Sequence, residues 1–193
     1  MELKELSDWE LVRRCKEDDR EAFRELLERY QHRAVRIALG MLHDPDDAQE
    51  VAQEAFTKVF TSIKNFKEEA SFYTWLYRIV YNLSIDRKRQ KSRQPQPEYK
   101  SDLGDNETDP IELLPADTKT DPYERTSDKE LGARIQGALE ELTPAHKAVI
   151  LLRIVEGLSY EEISHILQCS RGTVMSRLHY ARKRLQTILQ QNP

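Results

Sequence analysis

The feature that most limits what this chain can fold into is the recurrence of one helix-start signature. A serine or aspartate followed three residues later by glutamate occurs at Ser7–Glu10, Asp18–Glu21, Ser127–Glu130 and Ser159–Glu162. Each pair can form a capping box, in which the two residues satisfy each other's unpaired backbone N–H groups at a helix start. The signature takes its other form, a capping residue before a proline at the first helical position, at Asp44-Pro45 and Thr143-Pro144. The pattern predicts helices over 8–17, 19–42, 46–63 and 71–91, then over 128–141, 144–156, 160–167 and 171–189. With only 6 glycines in 193 residues and 33% of residues charged, the composition suits an all-α fold.

The predicted helices fall into two blocks of four. Between them runs "QPQPEYKSDLGDNETDPIELLPADTKTDPYER", Gln94 to Arg125, with five prolines, an acidic balance and little apolar periodicity. Such a segment cannot bury enough apolar surface to offset the entropy of ordering it. The chain therefore divides into a helical domain over 1–92, a flexible acidic linker over 93–126 and a second helical domain over 127–193. The patch Ile111–Leu114 is the linker's one candidate docking point. The formal net charge of −4 argues against a chain coated all over with cations for nucleic acid. Cys15 and Cys169 show no metal-ligand or disulfide spacing. No apolar run reaches membrane-spanning length and "MELKELSDWE" has no signal-peptide core, so a cytoplasmic chain without direct membrane insertion is expected.

The stretch "SFYTWLYRIVYN", Ser71 to Asn82, holds five aromatic residues, and "IDRKRQKSR" follows at once. Wound at 100° per residue, Phe72, Leu76, Ile79, Val80 and Leu83 share a stripe suited to a core. Tyr73, Trp75, Tyr77 and Tyr81 fall outside its centre, beside Thr74, Arg78, Asn82, Lys88 and Arg89. Exposed rings offer faces on which unpaired bases stack, at about 1–3 kcal/mol per base, while cations follow the phosphates. The bland alternative is that the tyrosines shield neighbouring helices.

The second block contains "LSYEEISHILQCSRGTVMSRLHYARKRL", Leu158 to Leu185. A short capped helix, a turn at Gln168-Cys169-Ser170 and a longer helix make a helix-turn-helix. Val174, Leu178, Ala181, Leu185 and Ile188 form the inward stripe of the longer helix. Arg171, Thr173, Met175, Ser176, Arg177, His179, Tyr180, Arg182, Lys183 and Arg184 surround it, with no acid among them. Residues early on such a helix can reach base edges in a major groove, and later cations meet phosphates. An ordinary amphipathic surface helix is the alternative.

In "DPDDAQEVAQEAFTKVF", Asp44 to Phe60, the stripe Ala48, Val51, Ala52, Ala55, Phe56 and Val59 points to a core. Asp47, Glu50, Gln53, Glu54 and Thr57 share the opposite face. Carboxylates beside a DNA-binding module would repel phosphate, so this face suits a protein partner. Solvated charge is the plain alternative. A metal-dependent nuclease would recruit His43, Asp44, Asp47 and Glu50, but no second ligand cluster accompanies them.

Together, "DAQEVAQEAFTKVF", "SFYTWLYRIVYN" and the helix-turn-helix resemble, in order and spacing, the extracytoplasmic-function (ECF) sigma factors of bacteria, of the envelope-stress type. The resemblance implies a transcription initiation subunit that is not an enzyme and needs no cofactor. It implies that Asp47, Glu50, Gln53 and Glu54, with Phe56 supporting them, bind the clamp coiled coil of the largest subunit of core RNA polymerase. It implies that Ser62, Phe66, Tyr73, Trp75, Tyr77, Arg78, Ile79, Asn82, Lys88 and Arg89 read and open the −10 element, a flipped base entering a pocket near "IKNFKEEAS". It implies that Arg171, Thr173, Ser176, Arg177, His179, Tyr180, Arg182 and Lys183 read the −35 element. Relatives of this type tend to carry cations where this chain has Met175 and Tyr180, so the resemblance does not carry over which −35 sequence is read, while Ser176, Arg177, His179 and Arg182 remain able to bind DNA. An anti-sigma factor, frequently membrane-anchored in the family, is a further expected partner. The competing reading is a duplex-binding helix-turn-helix regulator that acts without polymerase, which would leave the aromatic face unexplained.

Overall fold

The structure is a computed structural model that describes residues 3–67, 69–93 and 134–191. The predicted linker over 93–126, apart from Arg93, lies outside the described residues, as do the Ser127–Glu130 box and the Ile111–Leu114 patch. Among the described residues the regular structure is α-helix, two 3-10 turns and one π-helical turn, with no strand.

The first domain opens with a 3-10 turn at Leu3–Glu5 and continues through α1 (Asp8–Lys16), α2 (Arg20–Leu42), α3 (Pro45–Ser62), a 3-10 turn at Ile63–Asn65 and α4 (Phe72–Arg93). The Ser7 box closes as predicted: Ser7 N–H donates to Glu10 Oε2 at 2.9 Å and Glu10 N–H to Ser7 Oγ at 3.4 Å. The cap of α2 is a correction. Asp19, not Asp18, accepts from Glu21 N–H at 3.0 Å and Ala22 N–H at 3.1 Å. Asp18 takes a left-handed conformation, φ 67°, after α1 and reaches Lys64 at 2.7 Å instead. Aspartate tolerates that conformation better than most residues. Asp44 caps α3 through Asp46 and Asp47 N–H groups, with Pro45 at the first helical position. Leu26, Ala34, Ile37, Val51, Ala55, Val59, Phe72, Leu76 and Val80 fill the core between α2, α3 and α4. Ile79, expected in that stripe, sits half-buried at its edge.

The second domain contains a helix described over 134–140 (α5), α6 (Pro144–Ile150), a π-helical turn (Leu151–Val155), α7 (Tyr160–Leu167) and α8 (Arg171–Gln191). The single helix predicted over 144–156 therefore changes winding partway. Glu156 N–H bonds to Leu151 C=O at 3.1 Å, and Gly157 at φ 71° ends the run. Thr143 caps α6 and Ser159 boxes with Glu162 at the start of α7, as predicted. Gln168, at φ 51°, ends α7. Val174, Leu178 and Ala181 join the core with α6 and α7, and Ile188 is buried further along α8.

The two domains pack against each other, α4 against α7 and α2 against α6 and the π turn. Gly40 of α2 permits part of this approach: a Cβ placed there would lie 2.6 Å from Leu151 Cδ2. No helix among the described residues is long and apolar enough to cross a membrane.

Candidate nucleic-acid interface

The aromatic helix divides its rings differently from the helical-wheel expectation. Tyr73, Trp75 and Tyr81 are half-buried, while Arg78, Asn82, Lys88 and Arg89 are exposed. Tyr77 is wholly buried, a correction to its predicted outward placement. Its ring packs edge-on to Tyr30, with centroids 6.5 Å apart, and its hydroxyl donates to Glu156 of the second domain at 3.4 Å. Burial and the Glu156 carboxylate push the Tyr77 phenol well above the ordinary tyrosine range. The Tyr73 hydroxyl donates to the Glu162 carboxylate of α7. Tyr77 lies outside the centre of the core stripe, and Tyr30 and Tyr73 of the first domain and Glu156 of the second meet it there.

Phe66 and Trp75 form the second part of this face. Phe66 is buried, and Trp75 stacks on it with centroids 4.5 Å apart and planes 25° apart. Trp9 continues the stack on Phe66 at 6.3 Å. A cleft beside the stack is lined by Ser62, Asn65, Phe66, Thr74, Trp75 and Arg78, and its far wall by His165 and Gln168 of the second domain. Ser62 Oγ bonds back to Lys58 C=O within α3. A cleft whose lining combines stacked rings with the Arg78 guanidinium, and which also takes in Lys67 and Glu69, has the chemistry to hold a flat aromatic base.

The helix-turn-helix has the expected geometry. Arg171, Met175, Ser176, His179, Tyr180, Arg182 and Lys183 are exposed along α8. Thr173 and Arg177 are half-buried, and Arg177 Nη1 lies 3.7 Å from Cys169 Sγ in the turn. Tyr180 and Met175 are 62% and 55% exposed, so apolar contact surface accompanies the cations on this face.

The acidic face of α3 is partly corrected. Glu50, Gln53, Glu54 and Thr57 are exposed as predicted, and Phe56 is buried beneath them. Asp47 is buried instead, held by Arg87 at 3.4 Å and by Lys91 of α4. Lys91 also reaches Asp44 at 2.8 Å, and Arg87 reaches Glu50 at 2.7 Å. Asp44 and Asp47 thus brace α4, an arrangement that competes with a metal-site reading. The sequence reading missed Phe60, which is 52% exposed and meets Phe23 edge-on at 5.0 Å. Those two rings rim a groove with Leu27, Val35, Gln53 and Thr57, beside the acidic face. The signal was available: Phe60 lies one turn beyond Phe56 and off the inward stripe.

Two family models match the chain: Sigma-70 region 2 over residues 26–94 and Sigma-70 region 4 over residues 132–185. The RNA polymerase sigma-H factor of Pseudomonas aeruginosa is 35% identical over 184 residues, spanning 95% of this chain and 94% of that relative. The ECF RNA polymerase sigma-E factor of Haemophilus influenzae is 34% identical over 187 residues, spanning 96% and 97%. Among solved structures, CnrH, determined in complex with the cytosolic domain of CnrY, superposes with a TM-score of 0.70. It is 22% identical and covers 96% of this chain and 99% of that one, a likeness of fold.

Proposed function

Because this chain belongs to the ECF RNA polymerase sigma factor family, we propose the following division of labour among its surfaces. The exposed carboxylates of α3, Glu50 and Glu54 with Gln53, dock on the clamp coiled coil of core RNA polymerase, and Phe56 and Phe60 supply the apolar support. The α4 face and the Phe66–Trp75 cleft receive bases of the opened −10 strand. Stacking there offsets part of the cost of unpairing. Arg78, Asn82, Lys88 and Arg89 follow its backbone, with Ser62, Ile79 and Tyr73 lining the same face. The α8 face reads −35 duplex through Ser176, His179 and Tyr180, while Arg171, Thr173, Arg177, Arg182 and Lys183 hold phosphates. Asp47 acts from within the fold, by bracing α4, and Tyr77 belongs to the strand-reading face once its cover is removed.

One observation supports this division most: a helix-turn-helix with an outward face free of acids coexists with a half-exposed ring stack on a separate domain. A regulator of duplex alone has no use for the second surface. The chain acts in the cytoplasm, without catalysis of its own, under an anti-sigma factor that co-purification from native cells followed by mass spectrometry would identify. Run-off transcription with purified core polymerase tests the function. Specific transcripts that depend on this chain are expected, and failure to initiate on any genomic fragment would overturn the reading.

A further inference from the structure

The start of α8 spends its hydrogen-bonding groups within the domain. Ser170 caps the helix: its Oγ accepts from Thr173 N–H at 3.1 Å and lies 2.9 Å from Thr173 Oγ1. Ser176 Oγ donates to Thr173 C=O at 3.1 Å. Arg171 reaches Glu161 of α7 at 3.4 Å, and Arg177 Nη1 lies 3.7 Å from Cys169 Sγ. Gly172 has no side chain to offer. Every hydrogen-bonding side chain from Ser170 to Arg177 therefore already has a partner.

Met175 stands among them, 55% exposed and without a donor. Helix geometry puts it one turn from Arg171 and His179 and two turns from Arg182. Arg171 and Arg182 are groups proposed to hold phosphates, and Met175 lies between them near the end of the helix that reaches base edges. Tyr180, the other large apolar side chain exposed on α8, is about 140° around the helix from Met175. It meets His179 edge-on at 5.6 Å and lines a pocket with Leu142, Thr143 and His146, on the α6 side. The base-facing start of the helix is thus left with one protruding apolar group.

The major groove offers one apolar group among the four bases, the C5-methyl of thymine. The edges of guanine, adenine and cytosine present polar groups that a thioether would strip of water without replacing it. An unbranched, polarizable side chain adapts readily to a methyl surface. We propose that Met175 is a specificity-determining residue that packs on a thymine C5-methyl in the −35 duplex, so that one base pair is chosen by apolar contact rather than by hydrogen bonding. This role rests on the −35 reading of α8 and names the chemical group that one of its residues recognises.

Deoxyuridine pairs as thymidine does and lacks only that methyl, which makes it the probe. Holoenzyme, reconstituted from the full chain and core polymerase, first selects duplexes from a pool randomised upstream of the −10 element. Each thymine of the selected −35 element is then replaced singly by uracil, and affinity is read by competition anisotropy. One such replacement should weaken binding about fourfold, the worth of one buried methyl. With Met175→Ala, thymine and uracil at that position should bind alike, while Met175→Leu should keep the preference. Both changes fall at an exposed position, so helical circular dichroism should match the parent chain. A selected duplex that no uracil weakens, or uracil penalties that all survive Met175→Ala, would overturn the methyl contact and leave the −35 reading standing. A selection that yields no preferred duplex would overturn both.

Discussion

Trp75 lies almost flat on Phe66, ring centre to ring centre 4.5 Å, on the domain that the family match places at region 2. The exposed side of the stack is the half-buried Trp75 ring, which the buried Phe66 ring backs. Trp75→Ala should leave the cleft without its stacking platform. Opening of the −10 region, read by 2-aminopurine fluorescence in holoenzyme, should fall about tenfold or more, consistent with one lost base–ring stack. Closed-complex formation by gel shift should change little. Equal loss in both assays would make Trp75 a structural ring only.

Glu54 is exposed on α3 and, among the described residues, pairs along its own helix with Lys58 at 3.0 Å. Glu54→Lys should therefore leave the melting temperature within a few degrees of the parent, as surface substitutions do. Affinity for core polymerase should drop about tenfold through like-charge repulsion at the docked face. Unchanged affinity in a fluorescence titration would remove Glu54 from that interface.

Arg182 is exposed on α8, beyond Ser176, His179 and Tyr180, which are proposed to read base edges. Arg182→Ala should weaken binding to −35 duplexes about equally across sequences and lower the salt slope by about one. Ser176→Ala should instead alter which duplex is preferred. A changed preference from Arg182→Ala would reassign it to base reading.

His43 ends α2 in a left-handed conformation, φ 61°, and its Nε2 accepts from the buried Lys147 ammonium across the domain boundary. Burial, reinforced by the Lys147 charge, pushes the His43 imidazole down to about 4. An unfolded histidine binds a proton near pH 6.5. Between those values the unfolded chain holds more protons, so stability is lost as pH falls from about 6.5 towards 4. His43→Asn, which tolerates the same backbone, should flatten that part of the melting-temperature profile relative to the parent. Lys147 is lowered to about 8 by burial and by Lys88, so its own cost to stability is relieved as pH rises from about 8 towards 10.5. Parallel acid profiles for His43→Asn and the parent would contradict the His43 assignment.

Local chemistry made most of the helices legible. Capping residues and apolar stripes act within a few positions, so Ser7, Asp44, Thr143 and Ser159 mark helix starts in sequence and in structure alike. The choice of Asp19 over Asp18 was not legible, because both carry the same side chain and only the turn after α1 separates them. Asp47 looked outward on a helical wheel, yet Arg87 and Lys91, four to five turns into another helix, draw it inward. Tyr77 was misplaced for the same reason. It meets Tyr30 of α2 and Glu156 of the second domain, and contacts between distant segments leave no periodic trace in either. The outward face of α8 was readable because its burial is decided by its own stripe and its nearest helices.

The central claim is that an aromatic face on α4 takes up bases which have left the duplex while the chain sits on polymerase. Permanganate footprinting of a target promoter, with core polymerase alone and with this chain added, measures that directly. Thymines upstream of the start site should become reactive only when the chain is present, within the −10 element. A promoter that initiates with the chain while its −10 thymines stay unreactive, or that opens equally without it, would contradict the account.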